Sequence, residues 1–159
     1  MRPLLLLVLG WILFSQQHTP SYSIPTDTLS RGRSLASDDR LVSGNGKFAL
    51  GFFQMGTSNL LNWYLSIWFN KIPKIKPVWT ANRDNPISDP ASPELIIASD
   101  GNLVVLAQGA IIWSTQANIT ANDTTVAVIL DSGNLVLRSS SNSSHIFWES
   151  FDHPTDTHL

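Results

Sequence analysis

The sequence predicts an all-β domain with pseudo-threefold symmetry, and three observations support this prediction. Apolar and aromatic residues occur in short runs, and no segment keeps helical spacing over three turns. Turn-forming pairs separate these runs at Asn45-Gly46, Asp100-Gly101 and Ser132-Gly133. Tryptophans recur at intervals of 34 and 35 residues, at Trp79, Trp113 and Trp148. A fixed period of this length indicates one supersecondary unit that is repeated.

Nine segments have the composition of strands, because each is short and rich in Val, Ile, Leu or aromatic residues. In chain order, the predicted strands are Lys47–Phe53, Trp63–Phe69, Pro77–Thr80, Glu94–Ala98, Asn102–Ala107, Ala110–Ser114, Thr125–Leu130, Asn134–Arg138 and His145–Glu149.

Two stretches of the chain are close copies of each other. Ser99–Leu106 leads to Trp113, and Asp131–Arg138 leads to Trp148. A fainter first copy, Ser43–Leu50, leads through a longer insertion to Trp79. Three such units that each give one tryptophan to a shared centre would make a pseudo-threefold domain. A sandwich whose tryptophans are regularly spaced by accident is the alternative.

Composition excludes several classes of protein. The 159 residues are 43% hydrophobic and 14% charged, and they include no cysteine. Thiolate catalysis, iron–sulfur clusters and cysteine-ligated zinc are therefore excluded. The formal net charge of −2 argues against nucleic-acid binding, which needs an excess of Lys and Arg. A chain of this length buries a core without disulfide or metal support.

The amino terminus has the pattern of a signal peptide. Arg2 precedes an apolar run over Leu4–Phe14, which is too short to span a bilayer. We predict cleavage after Ser23, with a cut nearer Ser15 as the alternative, and therefore a signal peptide at 1–23 and one domain at 24–157. Because of this leader we expect a secreted or extracellular protein, or one associated with the cell surface if the chain is part of a longer receptor. No later apolar run in the sequence reaches membrane-spanning length.

Three Asn-x-Ser/Thr sequons are consistent with that compartment. They lie in predicted loops, at Asn118, Asn122 and Asn142. We expect at least one of them to be glycosylated.

The middle hairpin offers a candidate saccharide site. Asp100, Asn102 and Val104 alternate along one strand, so their side chains share a face, while Leu103 and Val105 point to the core. A carboxylate beside a carboxamide can bind adjacent sugar hydroxyls, and valine can contact ring carbons. An Asp and an Asn that only stabilise the turn are the alternative.

These residues resemble a bulb-type, or monocot mannose-binding, lectin domain, and more closely the version at the amino terminus of plant S-domain receptor-like kinases and S-locus glycoproteins. The resemblance covers residues 27 to 157. Its matching stretches are Asp27–Leu29, Leu41–Phe53, Val78–Ile87, both Gly-Asn-Leu-Val hairpins and Trp148–Thr157. It implies a β-prism of three sheets with pseudo-threefold symmetry.

The family binds mannose through the pattern Gln-x-Asp-x-Asn-x-Val-x-Tyr. The middle copy keeps Asp100, Asn102 and Val104 of this pattern but has Ala98 and Leu106 at its ends. The last copy keeps only Asn134 and Val136. Two lost hydrogen bonds of about 1 kcal/mol each would weaken the middle site roughly 30-fold. The resemblance thus implies weak mannose-type recognition.

We predict no enzymatic activity, no cofactor and no metal site. Glu94 and Glu149 are the only glutamates, no Gly-x-Ser-x-Gly motif occurs, and the protein-kinase motifs are absent from the sequence. The expected partners are mannose-containing glycans or a cell-surface receptor. The main alternative to sugar binding is a protein-interaction module that pairs with a receptor or with another copy of itself.

Overall fold

The computed structural model describes residues 26–57, 59–88, 90–120 and 123–155. The predicted signal peptide and Asn122 lie outside the described residues. The chain forms thirteen described strands and one short 3-10 turn, Ser150–Asp152. The strands are β1 (Thr28–Ser30), β2 (Ser34–Leu35), β3 (Arg40–Val42), β4 (Phe48–Thr57), β5 (Leu60–Phe69), β6 (Pro77–Thr80), β7 (Ile87–Ser88), β8 (Pro93–Ile97), β9 (Leu103–Ala107), β10 (Ala110–Ser114), β11 (Thr125–Ile129), β12 (Leu135–Ser139) and β13 (Ile146–Glu149).

Three antiparallel sheets confirm the predicted β-prism. The first sheet has the order β3-β4-β5-β6, with β7 also paired to β5. The second has the order β2-β8-β9-β10, and the third has the order β1-β11-β12-β13. Each sheet therefore ends in one of the three tryptophan-bearing strands β6, β10 and β13.

The segment from β1 to β3 connects the three sheets. β1 pairs with β11, β2 pairs with β8 and β3 pairs with β4, so each short strand completes a different sheet. These strands are only two or three residues long, and sequence periodicity did not predict them. Their hydrogen bonds to other sheets, and not their own composition, make them strands.

The structure contains the predicted repeat, but the sequence analysis assigned the first copy to the wrong strand. Trp113 pairs with Val105 of β9 and Trp148 pairs with Leu137 of β12, whereas Trp79 pairs with Ile67 of β5. The counterpart of β9 and β12 in the first sheet is therefore β5, not the Ser43–Leu50 stretch. That stretch resembles the other copies because it also contains a glycine turn before a buried strand. The turn lies between β3 and β4, one strand earlier in the sheet.

The core is built from the inward faces of all three sheets. Alternate residues of the central strands supply the core cluster: Leu65 and Ile67, Leu103 and Val105, and Leu135 and Leu137. The intervening residues Ser66, Val104 and Val136 are outside this cluster but are also buried.

The three indole rings meet at the centre of the prism. Their centroids are 5.7, 5.8 and 5.9 Å apart, and every pair is edge-to-face. This is a favourable geometry for aromatic rings. A register shift accompanies the pairing of each tryptophan strand with its neighbour. The bulge re-aims the side chains there. We refer to Trp79, Trp113 and Trp148 as the tryptophan hub.

Candidate functional site

Asn102 directly precedes β9, and its side chain is held by hydrogen bonds within the chain. Its Oδ1 accepts from the Thr115 hydroxyl at 2.8 Å and from the Ala117 N–H at 2.7 Å. Its Nδ2 donates to Asp100 at 3.1 Å and to the Ala117 carbonyl at 3.3 Å. A carboxamide offers two donor hydrogens and two acceptor lone pairs, so its capacity is used. With an exposed fraction of 6%, Asn102 braces the hairpin.

Asp100 is the exposed carboxylate of the middle turn. One carboxylate oxygen accepts from the Asn102 N–H at 3.0 Å and the other from the Asn102 amide. These bonds, with the backbone one the larger, lower the pKa of the Asp100 carboxyl, and nearby Arg31 adds to the effect. A carboxylate has about four acceptor positions. Asp100 therefore stays ionised and keeps lone pairs for sugar hydroxyls.

The other pattern positions of the middle hairpin expose little surface to a ligand. Val104 shares the face of Asp100 and Asn102, as expected from strand alternation, but only 2% of it is exposed. Beyond it, Leu106 is half-buried and provides no hydroxyl. At the other end, Arg31 donates hydrogen bonds to the carbonyls of Ala98 and Ser99. The three predicted residues are thus adjacent, yet the polar contribution comes from Asp100.

The last hairpin holds Asn134 in a similar way with different partners. Its Oδ1 accepts from the Ser150 hydroxyl at 3.0 Å and the Phe151 N–H at 3.2 Å. Its Nδ2 donates to Glu149 at 2.6 Å. Both Asn134 and Val136 are buried. Ser132 occupies the position that Asp100 has in the middle turn. The Asn134 side chain therefore has no carboxylate partner from its own turn.

A brace that sequence reasoning missed recurs in all three sheets. A side chain just after each tryptophan accepts the N–H of a core leucine: Asn82 for Leu65, Thr115 for Leu103 and Ser150 for Leu135. The signal in the sequence was a small polar residue two or three positions after each tryptophan. These residues complete the backbone hydrogen bonding next to the bulge.

Two of the three sequons lie on the described surface. Asn118 is exposed in the loop after β10, and Asn142 is exposed between β12 and β13. The Asn142 Oδ1 accepts from the Ser144 N–H at 3.0 Å. Within the described ranges, no group of three or more His, Cys, Asp or Glu side chains could hold a metal ion.

Comparison with known proteins agrees with this architecture. Residues 76–159 match the family model for D-mannose binding lectin. The chain belongs to this lectin family. Lectin domains of this family and fold are non-enzymatic carbohydrate-binding domains, which confirms the prediction that this bulb-type lectin domain is not an enzyme.

The sequence relatives of the chain include plant receptor-like kinases and an S-locus glycoprotein. A receptor-like serine/threonine-protein kinase of Arabidopsis thaliana is 47% identical, and the match covers 88% of this chain and 17% of the relative. An S-locus-specific glycoprotein of Brassica oleracea is 41% identical, with coverage of 88% and 32%. The chain thus spans a minor part of these relatives. Among the described residues, no helix has the length and hydropathy of a membrane span.

Solved structures show the same fold. A lectin of Marasmius oreades superimposes with a TM-score of 0.59 at 18% identity, covering 79% of this chain and 90% of that one. The mannose-specific agglutinin of Galanthus nivalis bulbs gives a TM-score of 0.51 at 22% identity, with coverage of 73% and 92%. These neighbours establish the bulb-lectin prism.

Proposed function

We propose that this lectin domain recognises mannose-type glycans weakly, outside the cell, through the middle hairpin. The observation that carries the proposal is the Asp100 carboxylate, which is exposed, ionised and positioned by Asn102. The lectin of Polygonatum cyrtonema, whose structure was solved with a monomannoside, is 25% identical to this chain. Its TM-score is 0.51, and the match covers 72% of this chain and 90% of that one.

Titration with methyl α-mannoside, followed by NMR of the labelled protein, tests this proposal. We expect shifts at Asp100 and Asn102 that saturate in the millimolar range. Asp100→Asn removes the negative charge but keeps an oxygen that can accept the Asn102 N–H, so this variant should stay folded and lose the shifts. Unchanged affinity in Asp100→Asn would contradict the proposed site.

Restoring the ends of the mannose pattern provides a sharper test. The double variant Ala98→Gln with Leu106→Tyr returns two polar contacts to the middle hairpin. At about 1 kcal/mol each, affinity should rise roughly 30-fold. The matched control is Leu130→Gln with Arg138→Tyr in the last hairpin, where Ser132 replaces the carboxylate. We expect no comparable gain there, and equal gains in both would show that Asp100 is not needed.

A second candidate function is association with a protein partner, and an apolar groove favours it. Val78 and Phe151 are 41% and 60% exposed, and they line a cavity of about 330 Å³ with Phe48, Phe69 and Pro154. Large exposed apolar side chains that lie together are typical of interaction sites.

Sedimentation over a concentration series tests this second candidate. The expected association of the chain with itself should disappear in Phe151→Asp, while the control Ile111→Asp, at an exposed residue that does not line the groove, should behave as wild type. A monomer at every concentration would exclude association between copies.

We also propose that the chain enters the secretory pathway and is glycosylated at Asn118, Asn122 or Asn142. The leader pattern at 1–23 and the exposure of Asn118 and Asn142 support this proposal. Expression in a secreting plant cell should give a product that begins near Ile24 and loses mass on deglycosylation. A retained leader or an unmodified product would contradict it.

A further inference from the structure

The charges of the chain are divided unevenly between the three sheets. The stretch from Arg40 to Arg83, which carries β3 to β6 of the first sheet, contains six of the ten Lys and Arg residues and none of the twelve Asp and Glu residues. It includes all four lysines of the chain. Clustered charge of one sign raises the local concentration of oppositely charged partners. The first sheet therefore attracts acidic groups, although the net charge of the whole chain is negative.

Three of the four lysines lie on the loop between β5 and β6. Residues 71–76 read Lys-Ile-Pro-Lys-Ile-Lys, and all of them are exposed. Pro73 has no N–H to donate, so the loop cannot extend the β5–β6 ladder. Ile72 and Ile75 are 46% and 40% exposed. Apolar side chains that are exposed together and surrounded by polar ones are typical of interaction sites.

This loop and the β3–β4 turn enclose a groove. The groove has a volume of about 350 Å³ and is lined by Asn45, Lys47, Phe69, Lys71 and Ile72. Phe69 and Ile72 are its apolar side chains. Lys47 follows the turn and Lys71 begins the loop, so each of the two elements contributes one ammonium group. We refer to this cavity as the basic groove.

Hydrogen bonds hold the two sides of the basic groove together. The Asn70 N–H donates to the Lys47 carbonyl at 2.9 Å, and the Asn70 Nδ2 donates to the Gly46 carbonyl at 3.2 Å. On the loop side, the Ile72 N–H donates to the Phe69 carbonyl at 3.3 Å. The groove is therefore formed before a partner arrives, which reduces the entropy lost on binding.

The charges of the basic groove are not neutralised from within. Lys47 Nζ lies 5.4 Å from the centroid of the Phe48 ring, and neither Lys47 nor Lys71 has an ion-pair partner among the described residues. One carboxylate borders the groove, that of Asp131, and it accepts the Asn45 N–H at 2.7 Å. Both ammonium groups are thus available to the carboxylates of another molecule.

We propose that the basic groove binds an acidic segment of a partner protein. One apolar side chain of that segment packs on Phe69 and Ile72, and flanking carboxylates pair with Lys47 and Lys71. The apolar lining favours a peptide over an anionic polysaccharide, which has no large apolar side chain to insert. Two exposed isoleucines offer little area for anchoring on a bilayer, where binding scales with the buried apolar surface.

The basic groove is independent of sugar recognition at the middle hairpin. It shares Phe69 with the apolar groove of the second candidate function, but Lys47, Lys71 and Ile72 do not line that groove. Variants at these three residues therefore test the basic groove by itself, and binding to a monomer is sufficient.

NMR of the labelled protein at low salt, titrated with a short acidic peptide, tests this proposal. The peptide has phenylalanine at its centre and two aspartates on each side, and a control peptide of the same charge has glycine at its centre. We expect amide shifts at Lys47, Phe69, Lys71 and Ile72 that saturate with the phenylalanine peptide and weaken as NaCl is raised. The glycine peptide should bind about 5-fold more weakly.

Matched variants separate the basic groove from general charge effects. Lys71→Gln should weaken binding of the phenylalanine peptide about 3-fold, and its combination with Lys47→Gln about 10-fold, because each removes one surface ion pair. Arg33→Gln removes the same charge at an exposed residue that does not line the groove, and should leave the affinity unchanged. Ile72→Ser should reduce the advantage of phenylalanine over glycine, whereas Ile146→Ser, at a residue 44% exposed in β13, should not.

The proposal is overturned if neither peptide gives saturable shifts at millimolar concentration in low salt. Equal affinity in the double lysine variant and the wild type would also overturn it. Vesicles of equal parts phosphatidylcholine and phosphatidylserine are the third probe. Sedimentation of the protein with these vesicles, without any binding of the peptides, would assign the lysines to a membrane surface and reject the acidic segment.

Discussion

The middle and last hairpins have nearly the same sequence but use their carboxylates differently. The middle turn reads Ser99-Asp100-Gly101-Asn102, and the last reads Asp131-Ser132-Gly133-Asn134, so Asp and Ser are exchanged. In the middle turn Asp100 holds its own Asn102. In the last turn Asp131 accepts the N–H of Asn45 at 2.7 Å, from the β3–β4 turn of another sheet.

This exchange separates the carboxylate that we propose for recognition, Asp100, from Asp131, which links two sheets. Asn134, without a carboxylate from its own turn, donates instead to Glu149 on the next strand. The Asn is buried in both hairpins, and both turns have an exposed aspartate, but only Asp100 of the middle turn bonds to the Asn of its own turn. The Gly-Asn-Leu-Val motif therefore indicates a stable hairpin, and the residue before the glycine decides whether a carboxylate lies beside the Asn.

Replacing each asparagine by alanine should have the largest effect on stability. The two variants test whether Asn102 and Asn134 stabilise their hairpins equally. Asn102→Ala deletes four side-chain hydrogen bonds and leaves both backbone groups of Ala117 without that partner. We expect the free energy of unfolding to fall by about 4 kcal/mol, against about 3 kcal/mol for Asn134→Ala, which loses three. Chemical denaturation measures both, and a larger loss in Asn134→Ala would reverse the comparison.

The two turn glycines should differ by a smaller amount. Gly101 and Gly133 both have a φ of +86°, so either alanine variant is strained by about 1 kcal/mol or more. An added Cβ at Gly133 would lie 2.8 Å from the Phe48 ring, whereas at Gly101 it would meet an Ile119 methyl at 3.1 Å.

Phe48 is buried and Ile119 is only half-buried, so Ile119 adjusts more easily. We expect losses of about 3 kcal/mol for Gly133→Ala and about 2 kcal/mol for Gly101→Ala. Thermal unfolding of the two variants under the same conditions checks the order. Equal losses would mean that the Phe48 contact contributes nothing.

The smallest expected effect is a difference in acid sensitivity between the turns. The folded-state pKa of Asp100 lies below its unfolded value of about 3.9. Its contribution to stability is therefore complete above that value and is lost as the pH falls through the folded pKa. The stability difference between wild type and Asp100→Asn should be constant above about pH 5 and should shrink below about pH 4.

Ser132→Asp is the matched variant of the last turn, because it introduces the carboxylate that Asp100→Asn removes from the middle turn. It places a carboxylate near the Asn134 N–H, which now donates to the Ser132 hydroxyl at 3.3 Å. We expect this variant to acquire the same acid-dependent stability relative to wild type. Urea unfolding at a series of pH values measures both differences, and a pH-independent difference for both variants would show that the turn carboxylate does not act through its charge.

Much of the site could be predicted from the sequence, because strand alternation alone places Asp100, Asn102 and Val104 on one face. The burial of Asn102 and Val104 could not be predicted. Asn102 is held by bonds from Thr115 and Ala117, thirteen and fifteen residues away in the chain, and Val104 lies between its partners Ser114 and Ile96 on the two neighbouring strands. The misplaced first copy has a similar cause, since a local match at Ser43–Leu50 contains no information about which strand pairs with Trp79.

The sequence by itself determined the class of fold, the three tryptophans and the hairpins, because these depend on local pattern and on a period that can be read along the chain. Only the tertiary structure decided the strand order, the internal hydrogen bonds of the Asn102 and Asn134 amides, and the meeting of the three sheets at the tryptophan hub. The physical reason is that short strands and buried polar groups acquire their hydrogen-bond partners from distant segments, and those contacts exist only after the sheets have packed.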